Sequence, residues 1–119
     1  MTPSKGSTRT HAPLSVPVYQ ILLSVCDQRI HGYAILQDIR ERTHDDVRLA
    51  AGTLYAALAR MKGDGWVNEV DEGSDATDDS RRRYYEITDL GSQILAEEAM
   101  RLRRAVEMAE LKRVLAPGT

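Results

Sequence analysis

The sequence predicts a mainly α (α+β) fold made of three short helices, a two-stranded hairpin and one long helix. Three observations carry this. Apolar residues recur at spacings of three and four over residues 14–28, over residues 31–42 and again over residues 50–65. Two short stretches, 66–70 and 82–87, have strand-like composition on either side of a loop (71–80) rich in Gly, Ser, Asp and Thr. From Thr88 an uninterrupted helical pattern then runs to about Leu115. Three helices, a hairpin and a long terminal helix define a winged helix-turn-helix with a C-terminal dimerisation helix.

Each element has its own justification. In the first helix Val18, Ile21, Leu22 and Val25 form an apolar stripe. Pro17 is tolerated only in a first turn, so the helix starts near Ser15, its N-cap. Residues 28–32 connect it to a second helix opened by His31, Gly32 and Tyr33, with Leu36 and Ile39 buried and either Tyr33 or Ile35 beside them. After a polar turn at 43–46, Val47, Arg48 and Leu49 fit a very short strand. The third helix spans 50–65. Ala51, Leu54, Leu58 and Met61 line its buried side, and Gly63 and Gly65 stop it. Its start has Ala50 where a capping Ser, Thr or Asp is usual; the alternative is a helix capped by Thr53, one turn later. Residues 66–70 alternate as a half-buried strand, and Tyr84 and Tyr85 suit the returning one. Thr88 is a good N-cap for the last helix, and Asp89 favours its first turn. Leu95, Ala99, Leu102, Val106 and Ala109 form a coiled-coil-like seam along it. At roughly 40 Å for a helix reaching Leu115, the seam is longer than three short helices can cover, which argues for a second copy of the chain.

With 119 residues and 42% apolar content, the chain is long enough for one domain and a small core, and it contains no Phe. Residues 14–88 form the winged domain and 89–116 the dimerisation helix. Residues 1–13 read as a disordered tail without the apolar segment of a secretory signal, and no apolar run approaches the ~18 residues of a membrane span. The single Cys26 lies in an apolar run and reads as a small buried residue of a cytoplasmic protein. Net charge is −2, so nucleic-acid binding must be carried by a local basic face. The acids concentrate at Asp64, Glu69, Asp71, Glu72, Asp75, Asp78 and Asp79, just before three consecutive arginines, Arg81, Arg82 and Arg83.

The outward side of the third helix is small and sparsely polar: Gly52, Thr53, Ala56 and Arg60, with Tyr55 on its flank. A solvated face is more often filled with Glu, Lys and Gln, whereas a small face can enter a DNA major groove. Gly52 and Thr53 sit at the helix N-terminus, where unpaired amides favour phosphate; ordinary capping is the competing explanation for Thr53. Tyr55 can reach phosphate or simply pack on the second helix. Arg60 and Lys62 are longer-range phosphate partners, and Lys62 is equally well explained as solvated surface. On a strand, Arg81, Arg82 and Arg83 alternate in direction, so one or two can face DNA; pairing with an acid of the opposite strand is the alternative. The acidic loop should point away from DNA. Trp66 is better explained by packing than by ligand stacking. His11, His31 and His44 lack partners at metal-ligand spacing, no phosphate-binding Gly-rich loop or catalytic set is present, and no cofactor is implied. His31 is assigned to holding the start of the second helix.

These residues also resemble the PadR-like transcriptional regulators. The resemblance rests on His31-Gly32-Tyr33 with Ile35, on Gly52-Thr53-Leu54-Tyr55 with Leu58, on Gly65, on Arg82-Arg83-Tyr84-Tyr85 with Ile87-Thr88, and on Leu90-Gly91. It covers about residues 14–91, and the single terminal helix looks like the family's small branch. It implies a homodimer that binds a palindromic operator on double-stranded DNA, most often to repress. It also implies, for some members, a small aromatic or lipophilic effector held near the dimer interface. By position it carries over Gly52, Thr53 and Tyr55 on the recognition helix and Arg82 and Arg83 at the wing. Ala50 and Ala51 depart from it, standing where Ser or Pro is frequent, and so does the long acidic loop. The function expected is thus a cytoplasmic, sequence-specific DNA-binding regulator and not an enzyme. The rivals are a winged-helix protein-interaction module and a ligand sensor without direct operator binding.

Overall fold

A computed structural model describes residues 12–71 and 83–116. The elements are α1 (Val16–Val25), β1 (Ile30–His31), α2 (Gly32–Arg42), α3 (Ala51–Gly63), β2 (Val67–Asp71), β3 (Arg83–Ile87) and α4 (Asp89–Leu111). Three helices, a small antiparallel sheet and a long terminal helix make the winged helix-turn-helix that the sequence predicts.

The first helix starts as expected. Ser15 caps it, its hydroxyl oxygen accepting from the Val18 amide at 3.3 Å, with Pro17 in the first turn. Ile21, Leu22 and Val25 enter the core. The helix ends at Val25, three residues before the expected limit, and Cys26 becomes its C-cap. Cys26 is therefore exposed and not buried; it lies just past the last turn of the apolar stripe. Partial desolvation and the neighbouring Asp27 raise its thiol above the ordinary range.

The connection to α2 hides a strand that the sequence does not reveal. Ile30 and His31 pair antiparallel with Tyr85 and Tyr84, so β3 is the central strand in the order β1-β3-β2. Two residues are too few to display a period of two. His31 then caps α2, its Nδ1 accepting from the Ala34 amide at 3.4 Å. Ile35 and Ile39 are fully buried, which settles the choice between Ile35 and Tyr33: Tyr33 is 63% exposed.

A polar cluster ties α2 to α1. The Asp38 carboxylate accepts from buried Ser24 Oγ at 2.7 Å and from Arg42 Nε at 2.8 Å. Arg42 also donates to the Gln20 side chain, the Gln20 carbonyl and Ser24 Oγ. Burial pushes the Asp38 carboxyl upward, but the hydrogen bonds from Arg42 and Ser24 and the charge of Arg42 outweigh it, and the group titrates below its usual value.

Residues 47–49 form no strand; Val47 is held instead by its amide donating to Thr43 Oγ1 at 3.1 Å. The third helix starts at Ala51, capped by no side chain, so Thr53 lies inside it. Leu54, Leu58 and Met61 are buried, but Ala51 is exposed, because the first turn projects beyond the core. Gly63 is its last residue, and of the two expected stop residues only Gly65 adopts a left-handed φ, at 83°.

The hairpin and α4 are fastened to that helix end by one residue. Thr88 donates its amide to the Trp66 carbonyl at 3.0 Å and its hydroxyl to the Gly65 carbonyl at 2.6 Å. The same hydroxyl accepts from the Gly91 amide at 2.9 Å, capping α4. Gly91 lies so close to the Trp66 carbonyl and Ile87 that any Cβ would clash with both. Farther along α4, Ile94 and Leu95 complete the core, and buried Glu98 pairs with Arg101. The helix ends at Leu111, short of the expected limit; Arg113 beyond it has a φ of 65°.

Two outcomes test this account. Gly91→Ala should lower stability by at least about 2 kcal/mol, seen in thermal melting, because the obstacle is backbone that cannot rotate away. Asp38→Asn should lower stability near pH 7 by about 1–2 kcal/mol. A depressed carboxyl stabilises the fold above its unfolded pKa of about 3.9, and that stabilisation disappears as pH falls through the lower folded value. The gap between variant and wild-type melting temperatures should therefore close below about pH 4; a gap constant with pH would contradict the assignment.

Candidate nucleic-acid interface

The buried stripe of α3 fixes what its other side presents. With Leu54, Leu58 and Met61 in the core, Gly52, Thr53, Ala56 and Arg60 are all exposed. A Cβ on Gly52 would meet nothing within 4 Å. Nothing in the fold therefore demands glycine there, and the helix would gain from Ala. Ala50 supplies no capping side chain, so the first-turn amides are offered to an acceptor from outside, together with the positive end of the helix dipole. The surface is small, uncapped and only lightly charged, suited to close approach by a polyanion.

Tyr55 flanks this surface, 45% exposed. A Cβ on Gly32 would lie 2.7 Å from its Cζ, so the phenol rests on the first residue of α2. The packing reading of Tyr55 thus holds, and the ring keeps an exposed flank. Tyr33, the next residue of α2, adds a second exposed phenol beside that seat.

On the wing side, Glu69 of β2 accepts from Lys62 Nζ at 2.7 Å and from Arg83 Nη1 at 2.9 Å. Arg83 is thus paired with an acid of the opposite strand, the alternative to direct phosphate contact. Lys62 is not simply solvated, since it bridges the end of α3 to the hairpin. Tyr85 packs nearby; burial, then the charges of Glu69 and Tyr55, push its phenol upward. Arg81 and Arg82 lie outside the described residues, as does the acidic loop apart from Asp71.

Trp66 is half-buried against the core. It also lines a groove of about 580 Å³ between the start of α1 and the flank of α3, with Leu14, Val18, Thr53, Arg60 and Met61. Of the expected dimer seam, Leu95 belongs to the protomer's own core. Beyond it Ala99 is exposed, Leu102 and Ala109 are half-buried, and Val106 is 47% exposed. The uncovered strip continues through Met108 and Leu111. His31 is occupied by capping α2 and by an edge contact with Tyr84 at 5.5 Å. Among the described residues no group of His, Cys, Asp or Glu could hold a metal, and no helix is long and apolar enough to cross a membrane.

Sequence reasoning missed Glu69 and the Gly32–Tyr55 seat. Glu69 was one acid among several, and the strand register that brings it within reach of Arg83 depends on a connection whose length sets no register by itself. For the seat the signal was present, since Gly32 and Tyr55 both belong to recognisable motifs, but no spacing along the chain says that they touch.

The transcriptional regulator PadR-like family model matches residues 21–97. An uncharacterised protein of Lysinibacillus sphaericus is 33% identical over 97 residues, 80% of each chain. A PadR-like transcription factor of Bacteroides fragilis is similar in structure, with 24% identity and a TM-score of 0.68 over 82% of this chain and 88% of that one. Bacillus subtilis PadR, solved in complex with operator DNA, is 21% identical with a TM-score of 0.63, covering 71% of this chain and 47% of its own. At these identities the solved structures establish the fold.

The two glycines should respond oppositely to Ala. Gly52→Ala should raise stability by about 0.5–1 kcal/mol. Gly32→Ala should lower it by about 1 kcal/mol, a modest cost because the partly exposed Tyr55 can swing aside. In a Tyr55→Ala background that loss should vanish, a coupling that denaturant titration of the four proteins would measure.

Proposed function

Since the chain belongs to the PadR-like family of transcriptional regulators, we propose that it binds a palindromic operator on double-stranded DNA as a homodimer and represses transcription from it. The observation that carries this reading is the outward side of α3. A glycine that the fold does not require stands with Thr53 and Ala56 beside an N-terminus with no side-chain cap. In this reading the first-turn amides and Thr53 hold phosphate, Gly52 lets the backbone approach, and Thr53 and Ala56 face base edges. Tyr55 and Arg60 add backbone contacts, and the wing arginines Arg81 and Arg82 are assigned to the neighbouring groove or phosphates. The operator-bound state of Bacillus subtilis PadR supports the same use of the fold. The uncovered strip of α4 from Ala99 to Leu111 supplies the dimer contact. Two-fold symmetry then places half-sites about one helical turn apart, or a multiple of it. A small aromatic or lipophilic effector fits this reading, and the groove beside Trp66 offers one surface for it. The setting is cytoplasmic, and the role is regulation and not catalysis.

A mobility-shift titration with the chain's own upstream DNA tests the proposal. Binding should be nanomolar and should weaken steeply between 50 and 200 mM salt, because the counterions released on binding gain less entropy as salt rises. Gly52→Ala should cut operator affinity about ten-fold or more while melting no lower than wild type, a loss of about 1.4 kcal/mol. Affinity no greater than for random DNA would defeat the reading.

A further inference from the structure

We propose that Glu69 is a counter-charge that limits sequence-independent DNA binding by holding Lys62 and Arg83 away from phosphate. The proposal rests on reading α3 and the wing as the DNA-binding surface. Lys62 is in the last turn of α3, and Arg83 is the first residue of β3. A duplex touched by both recognition helix and wing must pass a phosphate strand across the cleft between them, where these two cations meet. In the structure both are turned onto one carboxylate, at 2.7 and 2.9 Å, one to each oxygen. The Glu69 side chain is only 17% exposed, whereas Lys62 and Arg83 are 53% and 55% exposed. The carboxylate is thus fixed by the fold, and the cations come to it.

The geometry distinguishes this acid from Glu86 of the other strand. Val67, Glu69 and Asp71 share one face of β2, and their partners Ile87, Tyr85 and Arg83 share that face of β3. Buried Val67 and Tyr85 place it toward the helices. Glu86 lies on the opposite face and pairs with Arg29 at 3.2 Å. Two equal acids of one hairpin therefore point in opposite directions, only one of them toward α3. Sequence-independent binding to DNA is almost wholly electrostatic, so a carboxylate that engages two cations lowers it directly. A phosphate arriving in the cleft must compete with a pair of charge-assisted hydrogen bonds already made.

The test is fluorescence-anisotropy titration of a random-sequence duplex at several salt concentrations, with wild type, Glu69→Gln, Glu69→Ala and Glu86→Gln. Gln keeps the shape of the side chain and one acceptor oxygen but removes the charge, so the hairpin should remain folded, and melting curves check this for each variant. Glu69→Gln should bind random duplex about five-fold more tightly near 0.15 M salt, and its log–log salt slope should steepen by about one to two units, the amount expected for one or two added phosphate contacts. Glu69→Ala should move in the same direction. Glu86→Gln, with the same change in net charge, should stay within two-fold of wild type. The proposal is overturned if Glu69→Gln binds no better than wild type, if it binds more weakly, or if Glu86→Gln produces the same gain. Loss of specific operator binding by the wild type would defeat the operator reading separately, since random-duplex affinities are compared among variants.

Discussion

The hydrogen bonds of Thr88 are the constraint on which the arrangement of the other elements depends. Its amide and hydroxyl satisfy the Trp66 and Gly65 carbonyls at the end of α3, and the same hydroxyl caps α4. One residue thus joins the end of α3, the base of the hairpin and the start of α4. The left-handed Gly65 and the bare Gly91 serve this junction, the first by turning the chain and the second by letting Trp66 approach. Without so tight a junction, the angle between α3 and α4 would be set only by non-directional apolar contact. In the proposed dimer, the spacing of the two α3 helices would depend on that angle.

Much of this was legible locally. The first three helices follow from apolar spacing, and the caps Ser15 and Thr88 follow from residue type. The outward surface of α3 could be named from its own sequence because a helix fixes relative directions once one side is buried. The misses share a cause. The strand at Ile30–His31 exists only through pairing with residues more than fifty positions away, and two residues carry no pattern. Cys26 and Ala51 continue apolar stripes but lie at helix ends, where the core has already stopped. Glu69 is identifiable only once the register of β2 on β3 is known.

The charge distribution also acquires a spatial meaning. A chain of net charge −2 has no general attraction to nucleic acid, and several of its cations near the wing and α2 are engaged by acids within hydrogen-bonding distance. Arg42 serves Asp38, Arg29 serves Glu86, and Lys62 with Arg83 serves Glu69. Beside Arg60, the outward side of α3 offers backbone dipole and small side chains. Those are short-range and geometric, in contrast with the long-range pull of a basic patch, and they suit recognition that depends on fit.

The seat of Tyr55 on Gly32 separates the packing of α3 from its exposed side. Tyr55 packs against α2 at Gly32, on the flank, whereas Gly52, Thr53 and Ala56 are exposed. Those three positions can therefore change without disturbing the Tyr55–Gly32 contact. Exchanging α3 for a helix without an aromatic ring at position 55 would leave Gly32 uncovered and open that contact.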